Sequence, residues 1–322
     1  VDTGVSTDPE LLDSGHASSL HGIEFIEYST ARPLALGHVL ELMGFQPVAR
    51  HRSREVLLYR QGTMNVVINA HAAQRLGNSA DDVRISAVAF RARDAAAAYR
   101  RALDRGAWAV PTRVEVMELN IPAIHGVGAS RIYFVDRYRE FSIYTVDFVP
   151  IPCVDQQPPA IAGLHWFGLV QHVGPGRIND WIAFYRELFG FAPIPDDQRF
   201  GILPEGRILC SPCRTFYLQL IEPEPRPGPG PGAPDLQVDR TALPFGSAAS
   251  PGTAGFVEER MARLGLGASD VLEAVRALRA RGVDFLDSEL AGPAERGALT
   301  RGLPAGVAFE LVRDQRPLPS PS

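Results

Sequence analysis

Apolar residues recur along this chain with two different periods, and the two alternate. Residues 32–43 place Leu36, Val39, Leu40 and Met43 on one stripe, the spacing of an amphipathic helix. The run ends in Gly44-Phe45-Gln46-Pro47-Val48, where glycine can take the left-handed cap and proline forbids continuation. Residues 178–189 repeat the pattern with Trp181, Ile182, Tyr185, Leu188 and Phe189, ending in Gly190-Phe191-Ala192-Pro193-Ile194. A second pair follows. Residues 94–104 and 270–280 each open on an aspartate suited to N-capping and close on Arg-Gly before an apolar segment expected to be a strand.

Between the helices the period drops to two. Val56-Leu57-Leu58-Tyr59-Arg60 and Met64-Asn65-Val66-Val67-Ile68 predict a hairpin around Gln61-Gly62-Thr63. Ile132-Tyr133-Phe134-Val135 and Phe141-Ser142-Ile143-Tyr144-Thr145-Val146 predict another, and residues 215–221 and 307–312 answer them in the second half. The fold class expected is α+β. Each half reads as paired strand–helix–strand–strand–strand units forming a curved mixed sheet, with helices outside and a concave inner face for a ligand.

The repeat sets the expected domain organisation. Residues 1–19 read as a disordered tail, 20–150 as a first module, 151–162 as a Pro-rich stiff linker, 163–315 as a second module and 316–322 as a tail. The second module carries an insertion, 223–253, with eight Pro and five Gly, which can build neither helix nor central strand.

Composition narrows the class. The 322 residues are 45% hydrophobic and 21% charged with net charge −5, so the chain is globular and offers no basic footprint for nucleic acid or anionic membrane. No apolar run approaches the length of a membrane span, and the polar start lacks the order of a signal peptide. The reading is a cytoplasmic protein whose partner is a small molecule, with a homo-oligomer left open. Three cysteines, Cys153, Cys210 and Cys213, imply no disulfide framework. A lone Cys-x-x-Cys lacks the further ligands that zinc requires.

Several segments resemble one family. Gly22-Ile23-Glu24-Phe25-Ile26-Glu27-Tyr28, His51-Arg52-Ser53, Leu58-Tyr59-Arg60-Gln61-Gly62 and Met117-Glu118-Leu119-Asn120-Ile121-Pro122-Ala123-Ile124 with Gly126-Val127-Gly128 are similar to 4-hydroxyphenylpyruvate dioxygenase-like proteins of the vicinal oxygen chelate superfamily. The second half matches more weakly, through Gly176-Arg177 and residues 181–189. The resemblance implies tandem modules, a structural N-terminal one and a C-terminal one in which two histidines and a carboxylate hold Fe(II) for a keto acid and dioxygen. Carried over position by position, the first histidine falls on Gly168, the second on Arg263 and the carboxylate on Glu310. The family's C-terminal lid helix has no counterpart in the Pro-rich residues 316–322. The resemblance therefore implies a degraded iron site, with no cofactor. The alternative is a misregistered Fe(II) dioxygenase.

Candidate site residues each carry two readings. Arg263 and Glu310 form either a metal-free polar site, arginine binding a carboxylate and Glu310 acting as base, or an ion pair filling the iron position through two parallel hydrogen bonds. His172 is an acid or base on the face of Gly168, or a hydrogen-bonded core histidine; His165 is out of phase with Gly168. Trp166, Phe167, Phe216 and Tyr217 line an aromatic pocket with Gly168, or are plain core. Glu24 and Glu27 lie where the first half would place its own first ligand, with Ala87 and Ile143 at the later positions, and read as structural carboxylates.

Overall fold

The first helix, α1 (Pro33–Leu42), lies between strand β1 (Leu20–Ser29) and the antiparallel run β2 (Gln46–His51), β3 (Val56–Gln61) and β4 (Met64–Asn69). The computed structural model describes residues 20–70, 83–111, 119–139, 141–195, 206–222, 258–286 and 296–314. The expected tails, the insertion 223–253 and Met117-Glu118 lie outside these. The chain continues with β5 (Arg84–Ala92), α2 (Ala95–Asp104), β6 (Ala123–His125), β7 (Arg131–Val135), α3 (Ile143–Asp147) and β8 (Phe148–Pro150). The second half repeats the order: β9 (His165–His172), α4 (Ile178–Phe189), β10 (Ala192–Pro193), β11 (Arg207–Cys210), β12 (Tyr217–Ile221), β13 (Arg260–Ala268), α5 (Val271–Arg279), β14 (Gly297–Leu299) and β15 (Phe309–Arg313).

Local chemistry places the helices. Asp94 and Asp270 cap α2 and α5 by accepting hydrogen bonds from the amides of Ala97 and Glu273. Gly190 ends α4 in the left-handed conformation at φ 76°, which a residue with a Cβ adopts only at a cost. The buried stripe of α1, Leu36, Val39 and Leu40, packs on the sheet, each residue contributing roughly 1.5–3 kcal/mol of burial.

The halves use the same strand pairings. β1 runs parallel to β4 and antiparallel to β5, which runs parallel to β7. Likewise β9 runs parallel to β12 and antiparallel to β13, which runs parallel to β15. The two sheets join edge to edge where Met261 of β13 pairs with Ile85 of β5. Bulges in the β1–β5 and β9–β13 ladders bend each half, so that helices cover one face and the other is concave. A core on the helix face runs through both halves. Phe90 of β5 has its ring centroid 5.5 Å from Phe189 and 5.2 Å from Phe216.

Two expectations need correction. The segment 141–146 is not a strand: Ile143–Asp147 forms a short helix that buries Ile143 and Asp147 four residues apart. Its alternation fits both periods, and the buried Asp147 carboxylate accepting from the Leu119 amide selects the helix. The apolar segments after α2 and α5 are reduced to single bridges, Ala109 with Ile124 and Phe285 with Thr300. Trp108, in the first of these, is 78% exposed, so no second face holds the segment in the sheet.

Candidate functional site

On the concave face of the second half, four strands bring Tyr217, Gly168, Gly265 and Glu310 into one row. The glycines leave a trough in the middle of the row, walled by Tyr217 on one side and Glu310 on the other. The cleft over them is about 20 Å³, room for about one water. The rings of Phe167 and Tyr217, 5.0 Å apart, close its aromatic side.

One residue pair back along β13 stands Arg263, opposite Val170. Its Nε donates to Oε2 of Glu310 at 3.0 Å, with the side chains 4% and 5% exposed. Arg263 and Glu310 therefore meet, but through one nitrogen and not through two parallel bonds. The Nη2 of Arg263 is buried and has no hydrogen-bond partner among the described residues. A buried carboxylate needs a compensating charge, and here a guanidinium supplies it.

These residues fit an iron ion poorly. Gly168 has no donor atom, and a Cβ built there would lie 2.4 Å from the backbone oxygen of Tyr217. A histidine at 168 therefore requires the parallel β9–β12 pair to move apart. Arg263 is a cation. Glu310 alone offers a metal-ligating group, and among the described residues no three His, Cys, Asp or Glu side chains converge.

His172 lies further along the same face, in register with Arg260 and 6% exposed. Burial, then the charges of Arg260 and Arg263, lower its pKa to about 4, so it is neutral near pH 7. It does not line the cleft.

The aromatic candidates divide. Phe167 and Tyr217 line the cleft, whereas Trp166 and Phe216 belong to the core on the helix face. The cause for Trp166 is a bulge: Gly265 pairs with Gly168 and Leu266 with Trp166, leaving Phe167 as the extra residue. Phe216 precedes Tyr217 and alternates to the opposite side. The same bulge brings His165 back to the concave side. Its ring lies over Gly267, and Nε2 is 2.9 Å from Asp314 Oδ2. The strict alternation that put His165 out of phase fails here. Neither thiol of the Cys-x-x-Cys is in a disulfide; Cys210 Sγ donates to the Ser211 carbonyl at 3.4 Å, and Cys213 Sγ lies 3.1 Å from Thr215 Oγ1.

In the first half Glu24 and Glu27 are buried and partnered. Glu24 Oε2 meets Arg91 Nε at 2.5 Å, and Glu27 Oε1 accepts from Ser86 Oγ at 2.7 Å. The counterpart of Glu310 is not Ile143, which lies in α3. Gly265 pairs with Glu310 on β15 as Ala89 pairs with Tyr133 on β7, so register puts Tyr133 there. Counting along the sequence missed it because the final strand of that unit is β7.

Comparison with known proteins bears on the family and the fold. A family described as hydroxyphenylpyruvate dioxygenase, HPPD, N-terminal, matches residues 16–149. A 4-hydroxyphenylpyruvate dioxygenase of Pseudomonas sp. (strain P.J. 874) is 41% identical over 179 residues, 54% of this chain and 50% of that protein. The chain thus spans about half of that relative. Hemolysin VllY of Vibrio vulnificus is 30% identical over 287 residues, 86% of this chain and 74% of that protein. In structure, a mutant of 4-hydroxymandelate synthase from Streptomyces coelicolor superposes with TM-score 0.65 at 17% identity, covering 92% of this chain and 93% of that one, which speaks for the fold. Among the described residues no helix is long and apolar enough to cross a membrane. With the duplicated curved sheets and these relatives together, the chain belongs to the 4-hydroxyphenylpyruvate dioxygenase-like proteins of the vicinal oxygen chelate superfamily.

Proposed function

We propose that this protein is a family member that has exchanged its iron centre for an internal ion pair. It handles a small aromatic or keto-acid-like ligand in the C-terminal half without metal. The observation that supports the reading is the Arg263–Glu310 contact at 3.0 Å, between two of the positions onto which the resemblance carries the family's ligands. An arginine there repels a divalent cation and uses the one carboxylate that a metal would need. The aromatic wall of Phe167 and Tyr217 and the half-buried Gln219 are the surfaces a ligand ring would meet. The cleft has room for one water, so ligand entry requires Tyr217 to swing outward. In this role Glu310, which lines the cleft, is the group a ligand meets, and Arg263, buried behind it, orients the carboxylate through Nε.

The alternative, an Fe(II)-dependent 4-hydroxyphenylpyruvate dioxygenase, draws on the relatives alone. Oxygen uptake separates the two. The full chain, given Fe(II), ascorbate and 4-hydroxyphenylpyruvate, should consume no oxygen above a protein-free control. Its binding of 4-hydroxyphenylpyruvate by calorimetry should persist in EDTA. Turnover that EDTA abolishes would reverse the proposal.

A further inference from the structure

The cleft of the second half has a polar end and an aromatic end, and the charge at the polar end sets what a ligand brings there. Among the described residues, Glu310 is the one lining group that is charged near pH 7, and no arginine, lysine or histidine lines the space. Arg263 stands behind the carboxylate, giving Nε to Oε2 at 3.0 Å, and so offsets the charge of Glu310 without facing the cleft. The other polar lining groups, the Tyr217 hydroxyl and the Gln219 amide, are neutral. His172 and its partner Arg260 pair four residues further along β9 from Gly168, and His165 is held against Asp314 at 2.9 Å.

An anionic group entering this cleft therefore meets a carboxylate and no facing cation, which opposes the carboxylate end of a ligand. A group that donates a hydrogen is favoured. A carboxylate accepts about four hydrogen bonds, so a donor can be added to those Glu310 already makes. The space is about 20 Å³, the size of one water and hence of one hydroxyl. The floor beside it is flat. Gly168 and Gly265 stand side by side between Tyr217 and Glu310, so the sheet presents bare backbone across two strand spacings, about 9–10 Å. A planar ring can lie there, and the rings of Phe167 and Tyr217, 5.0 Å apart, meet its far edge once Tyr217 has swung outward.

We infer that the ligand of this cleft is a neutral phenol, bound hydroxyl first, with the hydroxyl donating to Glu310 and the ring on the glycine floor. The inference rests on the reading that the C-terminal half takes a ligand without metal, and it fixes which end of the ligand enters. Of a molecule such as 4-hydroxyphenylpyruvate, the phenol goes in and the keto acid stays at the mouth. A phenol ionises only near pH 10, so beside a carboxylate it keeps the hydrogen it donates.

The test uses the full chain in EDTA and three probes built on one ring: 4-methylphenol, p-xylene, in which a methyl replaces the hydroxyl, and 4-methylbenzoate. Saturation-transfer NMR reports contact and calorimetry reports affinity. 4-Methylphenol should bind best, p-xylene about tenfold or more weaker, as a lost hydrogen bond to a charged acceptor requires, and 4-methylbenzoate no better than p-xylene. Arg263→Met/Glu310→Leu, which removes both charges and keeps the volume, should bring 4-methylphenol and p-xylene to nearly equal affinity. Should that variant not fold, Glu310→Gln decides, since its neutral acceptor should narrow the difference. Tightest binding by 4-methylbenzoate, or a preference for 4-methylphenol that the variants leave intact, would overturn the inference and leave a metal-free ligand site standing. No probe bound, with 4-hydroxyphenylpyruvate still bound in EDTA, would likewise overturn the inference alone. Neither the probes nor 4-hydroxyphenylpyruvate bound would overturn it together with the reading it rests on.

Discussion

Replacing Arg263 by alanine strands the Glu310 carboxylate where its side chain is 5% exposed. Removing one partner of a buried pair costs about 3–5 kcal/mol, because the remaining buried charge loses the cation that compensates it. Against a total stability of about 5–15 kcal/mol, that loss is large. The structure also limits what the pair contributes. Only Nε of Arg263 reaches the carboxylate, and Nη2 is a buried donor without a partner among the described residues, an arrangement that costs about 1–3 kcal/mol. Arg263→Met/Glu310→Leu, which removes both charges and keeps the volume, should therefore be neutral or stabilising by up to about 4 kcal/mol. Arg263→Ala/Glu310→Gln should recover part of the single-mutant loss. Urea unfolding of wild type, both single variants and the double variant gives the coupling directly. A coupling below about 0.5 kcal/mol would refute the reasoning, since contacting buried charges cannot be that independent.

The remaining predictions use other parts of the molecule. The folded-state pKa of His172, about 4, lies below the ordinary 6.5, so the unfolded chain takes the proton first. Stability present above pH 6.5 should fall by about 3 kcal/mol as pH drops toward 4, and His172→Gln should flatten that part of a urea-midpoint profile against pH. Gly168→Ala meets the Tyr217 backbone oxygen at 2.4 Å and should cost about 1–3 kcal/mol in thermal or urea unfolding. Gly265→Ala, whose nearest neighbours stand at 3.5 Å, should be tolerated. Phe216→Ala should lose about 3–5 kcal/mol of stability while leaving ligand affinity unchanged in calorimetry, because the ring packs between Phe90 and Phe191 on the helix face.

How much of this was legible in the sequence follows from the range of the forces involved. The helices were, because their ends depend on residues within one turn: Asp94 and Asp270 cap locally, and Gly190 breaks locally. The Arg263–Glu310 contact was legible only through the resemblance, which carries two converging ligand positions onto these residues; charge complementarity then pairs them. The bulge at Phe167 was not. It arises from the register between β9 and β13, nearly a hundred residues apart in sequence, and no local pattern announces it. That one residue decides which aromatics face the cleft and moved Trp166 to the core. Tyr133 escaped notice for a related reason: its equivalence to Glu310 lies in strand pairing, and the amphiphilic segment 141–146 offered a false last strand.

The account stands on what occupies the centre of the C-terminal half, and iron stoichiometry measures that most directly. The full chain is titrated with Fe(II) under anaerobic conditions, desalted, and its iron is counted by mass spectrometry beside a Glu310→Gln variant. The arginine–carboxylate centre predicts iron far below one per chain and no difference between the two proteins. One iron per chain in wild type, lost in Glu310→Gln, would contradict it.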